Sequence, residues 1–434
     1  MRIVQLANMY HARSGGLRTV VDTLGRGYIA AGHERFLIVP GAKPSIAADE
    51  RNGTVITVPG TPVSGGYRMI FRPERVLRIL ASLAPDSVEV SDKATLVVAG
   101  PWARERGVRA VLFSHERLDS MVANRTGIRT LPRSMERAVG RWSRKVVAGF
   151  DDHVATSAYG ERELTEAGAT AIRRVPLGVD LNVFRPHPRA LPAPPPGLTT
   201  LPRIKGAEAG PGLAPTPAAG PIRLVYSGRL STEKNPHTAV EALRALRQWG
   251  IDATLDVYGS GPQFASLTRR ADGLPVTFHG HIADRARLAA KLSHADLVLA
   301  PAACETFGLS VLEALACGVA VVAAAGSGAA ELVSPEPGGA MPGAGLAVEA
   351  SADGIALGVI ELLAHPARER ATAARARATQ FPWSASVGRM LAIHSGEGHR
   401  CDDLVSALGG VASPAAVEAG PVPVEDHRKI DINI

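Results

Sequence analysis

The chain has 434 residues, of which 46% are hydrophobic and 21% are charged, with a formal net charge of +7. This length exceeds what one ordinary hydrophobic core accommodates, so two domains are expected. The three cysteines (Cys304, Cys317 and Cys401) exclude a disulfide framework and are too dispersed for a zinc cluster, which favours the reducing cytoplasm. Neither a signal peptide nor a membrane-spanning helix is expected, because the first residues lack a long apolar stretch and the uncharged stretch 314–330 is broken by glycines.

The positive charge is concentrated in the first part of the chain. Residues 1–186 carry 27 Lys and Arg against 18 Asp and Glu, whereas residues 187–434 carry 21 against 23. Such asymmetry indicates an anionic partner for the first part: nucleic acid, an anionic lipid surface or a phosphorylated substrate.

Strand and helix signals alternate through residues 1–186. An apolar run at 2–7 predicts a buried strand, and a helix is expected at 17–31, before Gly32. The remaining candidate strands lie at 36–39, 55–58, 88–90, 108–113 and 153–156. This alternation predicts a parallel sheet covered by helices.

Residues 187–221 contain ten prolines and no apolar periodicity, which predicts a linker or disordered insertion. A second alternating block follows, in which Asn235 and Pro236 begin a helix. Its candidate strands lie at 222–227, 254–258, 276–279, 296–300 and 319–323. We therefore predict two doubly wound α/β domains, 1–186 and 222–380, with a ligand cleft at the carboxyl ends of both sheets, and a flexible tail at 396–434.

Two glutamates, Glu305 and Glu313, flank a predicted strand-to-helix connection. The strand at 296–300 leads into a helix that begins near residues 306–308, and eight residues rotate a helix by about 80° net, so both carboxylates can face one cleft. This pattern is typical of a sugar-nucleotide site, although an acidic helix cap and a buried salt bridge explain it equally well. Amides at the helix start favour an anion, and they belong to Phe307, Gly308 and Leu309.

Two cations, Arg229 and Lys234, lie five residues apart in the loop after the strand at 222–227. Guanidinium and ammonium groups at this spacing are able to converge on a diphosphate, although ordinary surface charges in a turn remain the alternative. The loop lacks the glycine and lysine spacing of a Walker loop.

Two further candidates follow strands of the first domain. Gly15 and Gly16 allow close approach of a ligand to the backbone, or form a simple turn. His115 opens a polar cluster with Arg117 and Asp119, at a position that favours function over a structural histidine. Asp-x-Asp triplets and metal-binding His/Cys spacings are absent from the sequence, so no metal cofactor is expected and a bound diphosphate would be neutralised by cations and helix N-termini.

Together these motifs resemble the retaining glycosyltransferases of family 4, with the GT-B fold of two facing Rossmann-like domains. The similarity extends over roughly residues 1–395 except 187–221, and is closest to actinobacterial GDP-mannose-dependent α-mannosyltransferases of phosphatidylinositol mannoside synthesis. The motifs that carry it are Gly15-Gly16, His115, 175–180, 227–234, Glu305 to Glu313 and Trp383.

The resemblance implies a role for each matching residue. Arg229 and Lys234 would hold the donor diphosphate, Glu313 the ribose and Glu305 the transferred sugar. Gly15 and Gly16 would approach the phosphates from the facing domain, His115 would contact the sugar or acceptor near the reacting carbon, and 381–395 would form a helix returning to the first domain. We expect acceptor contacts from Arg18, Arg68, Arg117 and Asp119, and catalytic roles for His115, Glu305, Arg229 and Lys234.

The acceptor is predicted from two basic series, one at 133–145 and one at 68–78. Arginines recur on one side of the first series and apolar residues on the other, which favours either an anionic membrane surface or a solvated outer face. Aromatic residues are too few for nucleic-acid stacking. The expected activity is mannose transfer from GDP-mannose to a lipid-linked acceptor at the inner face of the plasma membrane. A different nucleotide sugar with a soluble or other glycolipid acceptor, and a non-catalytic nucleotide-sugar binder, stay open as alternatives.

Overall fold

The computed structural model describes residues 1–11, 15–63, 66–119, 122, 132–187, 220–334 and 343–397. Most of the predicted linker, at 188–219, and the predicted tail beyond residue 397 lie outside these ranges. Two sheets organise the chain, one built from residues 2–174 and the other from residues 222–348.

The N-terminal half is built on an eight-stranded sheet in the order β10-β9-β8-β7-β1-β2-β4-β3, parallel except for the β3–β4 pair. Its strands are β1 (Arg2–Leu6), β2 (Glu34–Gly41), β3 (Ser45–Asp49), β4 (Gly53–Pro59), β7 (Ser87–Val90), β8 (Arg109–Ser114), β9 (Asp152–Ala155) and β10 (Ile172–Arg174). A separate hairpin joins β5 (Thr61–Pro62) to β6 (Arg68–Met69).

Five described helices accompany this sheet. They are α1 (Gly16–Ala30), α2 (Pro73–Leu83), α3 (Ala99–Arg104), α4 (Arg133–Val147) and α5 (Ala158–Glu166). Helix α1 buries Val20, Val21 and Leu24 on the side facing the core. Gly32, just beyond its end, has a φ of 82°, the left-handed conformation that suits glycine as a helix stop.

The C-terminal half is built on a fully parallel six-stranded sheet in the order β13-β12-β11-β14-β15-β16. Its strands are β11 (Ile222–Ser227), β12 (Ala253–Tyr258), β13 (Val276–Gly280), β14 (Leu297–Ala300), β15 (Val321–Ala324) and β16 (Gly345–Val348). Its helices are α6 (Pro236–Gln248), α7 (Phe264–Arg270), α8 (Arg285–Leu292), α9 (Leu309–Ala316), α10 (Gly328–Val333), α11 (Ala352–Leu363) and α12 (Ala367–Thr379). The predicted doubly wound α/β class is confirmed.

The last described helix, α13 (Trp383–Ser395), returns to the N-terminal half. It packs so closely on α1 that a Cβ added at Gly27 would lie 2.3 Å from Val387 Cγ2. Its buried His394 lies 2.7 Å from Ser87 Oγ and 3.1 Å from a carboxylate oxygen of Glu89. A buried polar group needs such partners, so this network specifies where the helix docks.

Several local predictions differ from the structure. The antiparallel strand β3 was not predicted. All five of its residues are exposed, so its sequence lacks the alternation of apolar and polar residues that marks a half-buried strand. The basic series at 68–78 spans two elements, since Arg68 belongs to β6 and α2 begins at Pro73. Within the described ranges, no helix combines the length and the apolar character needed to cross a bilayer.

Candidate active site

The predicted donor-binding residues lie at the carboxyl ends of two adjacent strands. Arg229 and Lys234 follow β11, and Glu305 follows β14, which is the strand paired with β11 in the sheet. Because parallel strands end at the same edge, these loops meet there. Lys234 Nζ lies 2.5 Å from Glu305 Oε2, with the lysine side chain about one-third exposed and the carboxylate less so.

This ion pair changes how the two residues are understood. The resemblance assigns Lys234 to the diphosphate and Glu305 to the sugar, whereas here they bind each other. Burial acts to lower the pKa of Lys234, but the Glu305 carboxylate outweighs it and the pKa is raised, so the ammonium stays charged. A charged ammonium at the end of the sheet, paired with a carboxylate, is able to stabilise negative charge that develops on a leaving group.

The second cation reaches across the cleft. The Arg229 guanidinium donates a hydrogen bond to the hydroxyl of Tyr67 from the N-terminal half, and its Cζ lies 5.1 Å from the centre of the tyrosine ring. Arg229 is exposed, and a stacked, partly solvated guanidinium can exchange this partner for a phosphate.

Tyr226 was not predicted from the sequence, and its hydroxyl contacts the backbone of both cationic residues. Its buried hydroxyl donates to the carbonyl of Arg229 at 2.9 Å and lies 3.4 Å from the carbonyl of Lys234. Burial, with the nearby Glu305 and Glu233 carboxylates, raises its pKa, so the hydroxyl remains protonated and able to donate. The only sequence signal was a tyrosine near the end of an apolar strand, which also fits simple core packing.

Glycines bring the next loop close to this one. A Cβ at Gly259 would lie 1.8 Å from the Gly228 carbonyl oxygen, and one at Gly261 would lie 2.3 Å from the Leu230 carbonyl oxygen. Real side chains do not tolerate such distances, so the 228–234 loop owes its shape to glycine in its neighbour.

The start of α9 carries the predicted anion site. Gly308 precedes the helix with a φ of 98°, and its carbonyl accepts the first helical hydrogen bonds. Among the described residues, the amides of Phe307, Gly308 and Leu309 donate to no protein group, so they are available to a phosphate. The Phe307 side chain is buried in the core, so only the backbone of this residue is able to contact a nucleotide sugar.

Glu313 lies one turn further along α9 and is almost fully buried. Its carboxylate accepts a hydrogen bond from Arg285, whose Cζ also lies 4.8 Å from the Phe184 ring centre. Burial raises the pKa of Glu313, and Arg285 opposes the rise. The glutamates of the predicted pair therefore each hold a different cation.

The N-terminal half brings His115 and Gly16 to the same cleft. A Cβ at Gly16 would lie 3.6 Å from Leu309 Cδ1, so the glycine faces the start of α9. The Thr306 hydroxyl donates to the His115 carbonyl at 2.6 Å, which links the donor loop to the polar cluster after β8. Gly15, just before α1, has open space beside it.

Further hydrogen bonds between the two halves lie at the start of α5. The Glu331 carboxylate, from α10, accepts hydrogen bonds from the amides of Ala158 and Tyr159, both at 2.9 Å. The hydroxyl of Thr156 donates to the Thr306 carbonyl at 3.1 Å. A carboxylate from one half thus caps a helix of the other.

The predicted acceptor residues all have partners in their own half. Arg117 Nη2 lies 2.7 Å from Asp119 Oδ2, Arg18 Nε lies 3.3 Å from Asp22 Oδ2, and Arg68 donates to the Gly60 carbonyl at 2.7 Å. These contacts bear on the structure of the surrounding loops, and the acceptor roles stay a prediction.

Lys93 was missed, although it holds the loop after His115. Its ammonium binds the Glu163 carboxylate and donates to the Glu116 carbonyl at 2.7 Å. Glu163 also accepts from the Leu118 amide at 2.7 Å, and Trp142 donates to the Lys93 carbonyl at 2.8 Å. A lone lysine three residues beyond a strand gave no signal of this role. Across the described ranges, no group of three or more His, Cys, Asp or Glu side chains is arranged to hold a metal ion.

Comparison with known proteins identifies the family. The model for "Glycosyltransferase Family 4" matches residues 14–183, and the model for "Glycosyl transferases group 1" matches residues 215–380. A Mycobacterium tuberculosis GDP-mannose-dependent α-(1-6)-phosphatidylinositol dimannoside mannosyltransferase is 40% identical over 395 residues, covering 90% of this chain and 95% of its own.

More distant relatives agree. A Mycolicibacterium smegmatis GDP-mannose-dependent α-(1-6)-phosphatidylinositol monomannoside mannosyltransferase is 27% identical, covering 90% of this chain and 97% of its own. Among solved structures, sucrose-phosphate synthase from Thermosynechococcus elongatus aligns with a TM-score of 0.68 at 22% identity, covering 94% of this chain and 99% of its own. These matches confirm the GT-B fold, and the chain belongs to glycosyltransferase family 4.

Proposed function

We propose that this glycosyltransferase moves mannose from GDP-mannose to a phosphatidylinositol mannoside, with retention at the anomeric carbon. The observation that carries the proposal is the cleft in which two loop cations, free helix-start amides and two glutamates converge. The M. tuberculosis relative supports the choice of donor and acceptor.

Each part of the cleft then has a task. Arg229, Lys234 and the amides of 307–309 neutralise the charge that develops on the leaving diphosphate, which is often the largest catalytic contribution. Glu313 takes the ribose hydroxyls with its second oxygen while Arg285 holds the first. Since the cations supply the neutralisation, we propose transfer without a protein-held metal.

The route of retention follows from the Glu305 contact. A carboxylate neutralised by an ammonium at 2.5 Å is a weakened nucleophile. We therefore favour departure and attack on the same face of the sugar over a double displacement through Glu305. In this route Glu305 orients the sugar hydroxyls and His115 contacts the sugar near the reacting carbon.

The activity is tested by incubating the purified protein with GDP-mannose and vesicles that contain phosphatidylinositol dimannoside. We expect a product heavier by one mannose, with the α configuration by NMR. UDP-glucose in place of GDP-mannose tests the other nucleotide sugar, and soluble glycosides test the other acceptors. Binding of GDP-mannose without any product, over all acceptors, would overturn the enzymatic proposal.

We also propose that the acceptor is reached from an anionic membrane surface at the inner face of the plasma membrane. Helix α4 exposes Arg133, Arg137 and Arg141, and keeps Met135 and Val139 only half-buried. Next to α2, Phe71 is 54% exposed beside an exposed Arg72. Basic residues near an anionic surface contribute about 1 kcal/mol each, and exposed apolar side chains add to this binding.

Co-sedimentation with vesicles of phosphatidylcholine, with and without phosphatidylinositol, tests this surface. At low salt we expect recovery only with the anionic vesicles, and a loss of several-fold in Arg137→Glu/Arg141→Glu. The double variant Arg269→Glu/Arg368→Glu makes the same change of charge at exposed positions of the C-terminal half and is the control. Equal recovery of wild type with both vesicles would contradict the proposal.

A further inference from the structure

His115 is fixed by two neighbours on the N-terminal sheet. It follows β8, and its Nε2 lies 2.9 Å from the hydroxyl of Ser91, which follows the adjacent parallel strand β7. Its ring stacks on Phe113 at 4.2 Å between centres with an angle of 9° between the planes. Stacking on Phe113 fixes the plane of the ring, and the Ser91 contact fixes its rotation within that plane, with the Nε2 edge facing Ser91.

Only one ring nitrogen is thereby left for a ligand. Nδ1 makes no hydrogen bond to the described residues, whereas Nε2 is occupied by Ser91. The His115 backbone is tied to Thr306 across the cleft, so this residue sits where the two halves meet. Nδ1 is therefore able to hydrogen-bond to a ligand in the cleft, and a sugar hydroxyl suits it because it both donates and accepts.

The ring is neutral under ordinary conditions. Burial lowers the pKa of His115 to about 4, with Lys93 adding to the effect and Glu89 opposing it. A neutral imidazole has one N–H donor and one acceptor nitrogen, and the group bonded to one nitrogen selects the role of the other. The Ser91 hydroxyl can either donate or accept, so its contact with Nε2 suits both tautomers and fixes the orientation of the ring.

We propose that Ser91 is a positioning residue for sugar transfer: its hydroxyl holds His115 Nε2 and thereby keeps the ring in the one orientation that turns Nδ1 to the sugar being transferred. The inference rests on the proposed function of His115. Without the hydroxyl, the ring can rotate by about 180° about its Cβ–Cγ bond within the stack, which brings Cδ2 to the place of Nδ1 and Cε1 to the place of Nε2.

The kinetic test uses Ser91→Ala with Ser91→Thr and Ser114→Ala beside it. We expect Ser91→Ala to lower kcat about tenfold, the scale of losing one hydrogen bond, with KM for GDP-mannose unchanged within about twofold. Ser91→Thr keeps the hydroxyl and restores most of kcat. Ser114 is the matched control, because it is a buried serine at the end of β8 whose hydroxyl has no partner among the described residues.

The spectroscopic test uses ¹⁵N-labelled histidine in the full chain without ligand, with the His115 signals assigned by their loss in His115→Gln. Wild type should show one set of His115 ring ¹⁵N shifts, and Ser91→Ala two sets or one displaced set, because the ring is no longer held in one orientation. Unchanged ¹⁵N shifts in Ser91→Ala overturn the inference. This measurement needs no donor, so it decides about Ser91 even where wild type fails to use GDP-mannose, an outcome that would count against the proposed function alone.

Discussion

Charged side chains on the two sides of the cleft are held in different ways. On the C-terminal side, Arg229 and Lys234 lie in the loop after β11, and Arg229 reaches across to Tyr67. On the N-terminal side, Lys93 and Glu163 form a buried pair inside their own half. Exposed cations can exchange partners for a ligand, whereas a buried pair cannot be broken without a large cost in stability. Function and fold therefore depend on different charges.

The largest effect is expected at Lys234. Lys234→Ala removes a cation from the place where diphosphate charge develops, and we expect kcat/KM to fall by about 10²–10³, as when one preorganised stabilising group is lost. Stability should change little, because the side chain is about one-third exposed. Initial rates with GDP-mannose and thermal unfolding measure the two quantities.

Lys291→Ala is the control for this experiment, since Lys291 is an exposed lysine on α8. It should keep near-normal turnover. A folded Lys234→Ala protein with turnover close to that of Lys291→Ala would show that the donor site has been misassigned.

The difference between the two sides also explains what the sequence could reveal. Arg229, Lys234, Glu305 and Glu313 lie in short local patterns, so the sequence predicted their convergence at one sheet edge. Their mutual partners were not predicted, because the Lys234–Glu305 pair joins residues 71 positions apart. Contacts of that separation depend on the strand order β11-β14, which no local pattern encodes.

The next effect is expected in stability rather than in turnover. Glu163→Gln leaves the Lys93 ammonium buried without its carboxylate, and removing one partner of a buried ion pair costs about 3 kcal/mol or more. We expect a lower urea midpoint of unfolding, with KM for GDP-mannose unchanged. Glu166→Gln, an exposed position on the same helix α5, should leave the midpoint near that of wild type. An unchanged midpoint in Glu163→Gln would contradict the argument that the Lys93–Glu163 pair stabilises the fold while Arg229 and Lys234 serve function.

The smallest effect is expected at Tyr226, where the two roles meet. Tyr226→Phe keeps the buried ring and removes the hydroxyl that contacts the carbonyls of Arg229 and Lys234. The fold should lose about 1 kcal/mol, the net worth of one hydrogen bond. Turnover should fall by about tenfold or less, because both cations remain but their loop is no longer fixed at two points.

Comparing the loss of stability with the loss of turnover is informative, because the same Tyr226 hydroxyl is part of the buried core and contacts the 228–234 loop. If Tyr226 acts only through packing, Tyr226→Phe leaves the affinity for GDP unchanged and alters only thermal unfolding. If it fixes the loop, calorimetry with GDP shows weaker binding in Tyr226→Phe than in Tyr258→Phe, which changes a buried tyrosine on the neighbouring strand β12. We expect the second result, since the hydroxyl of Tyr226 bonds to the loop backbone itself.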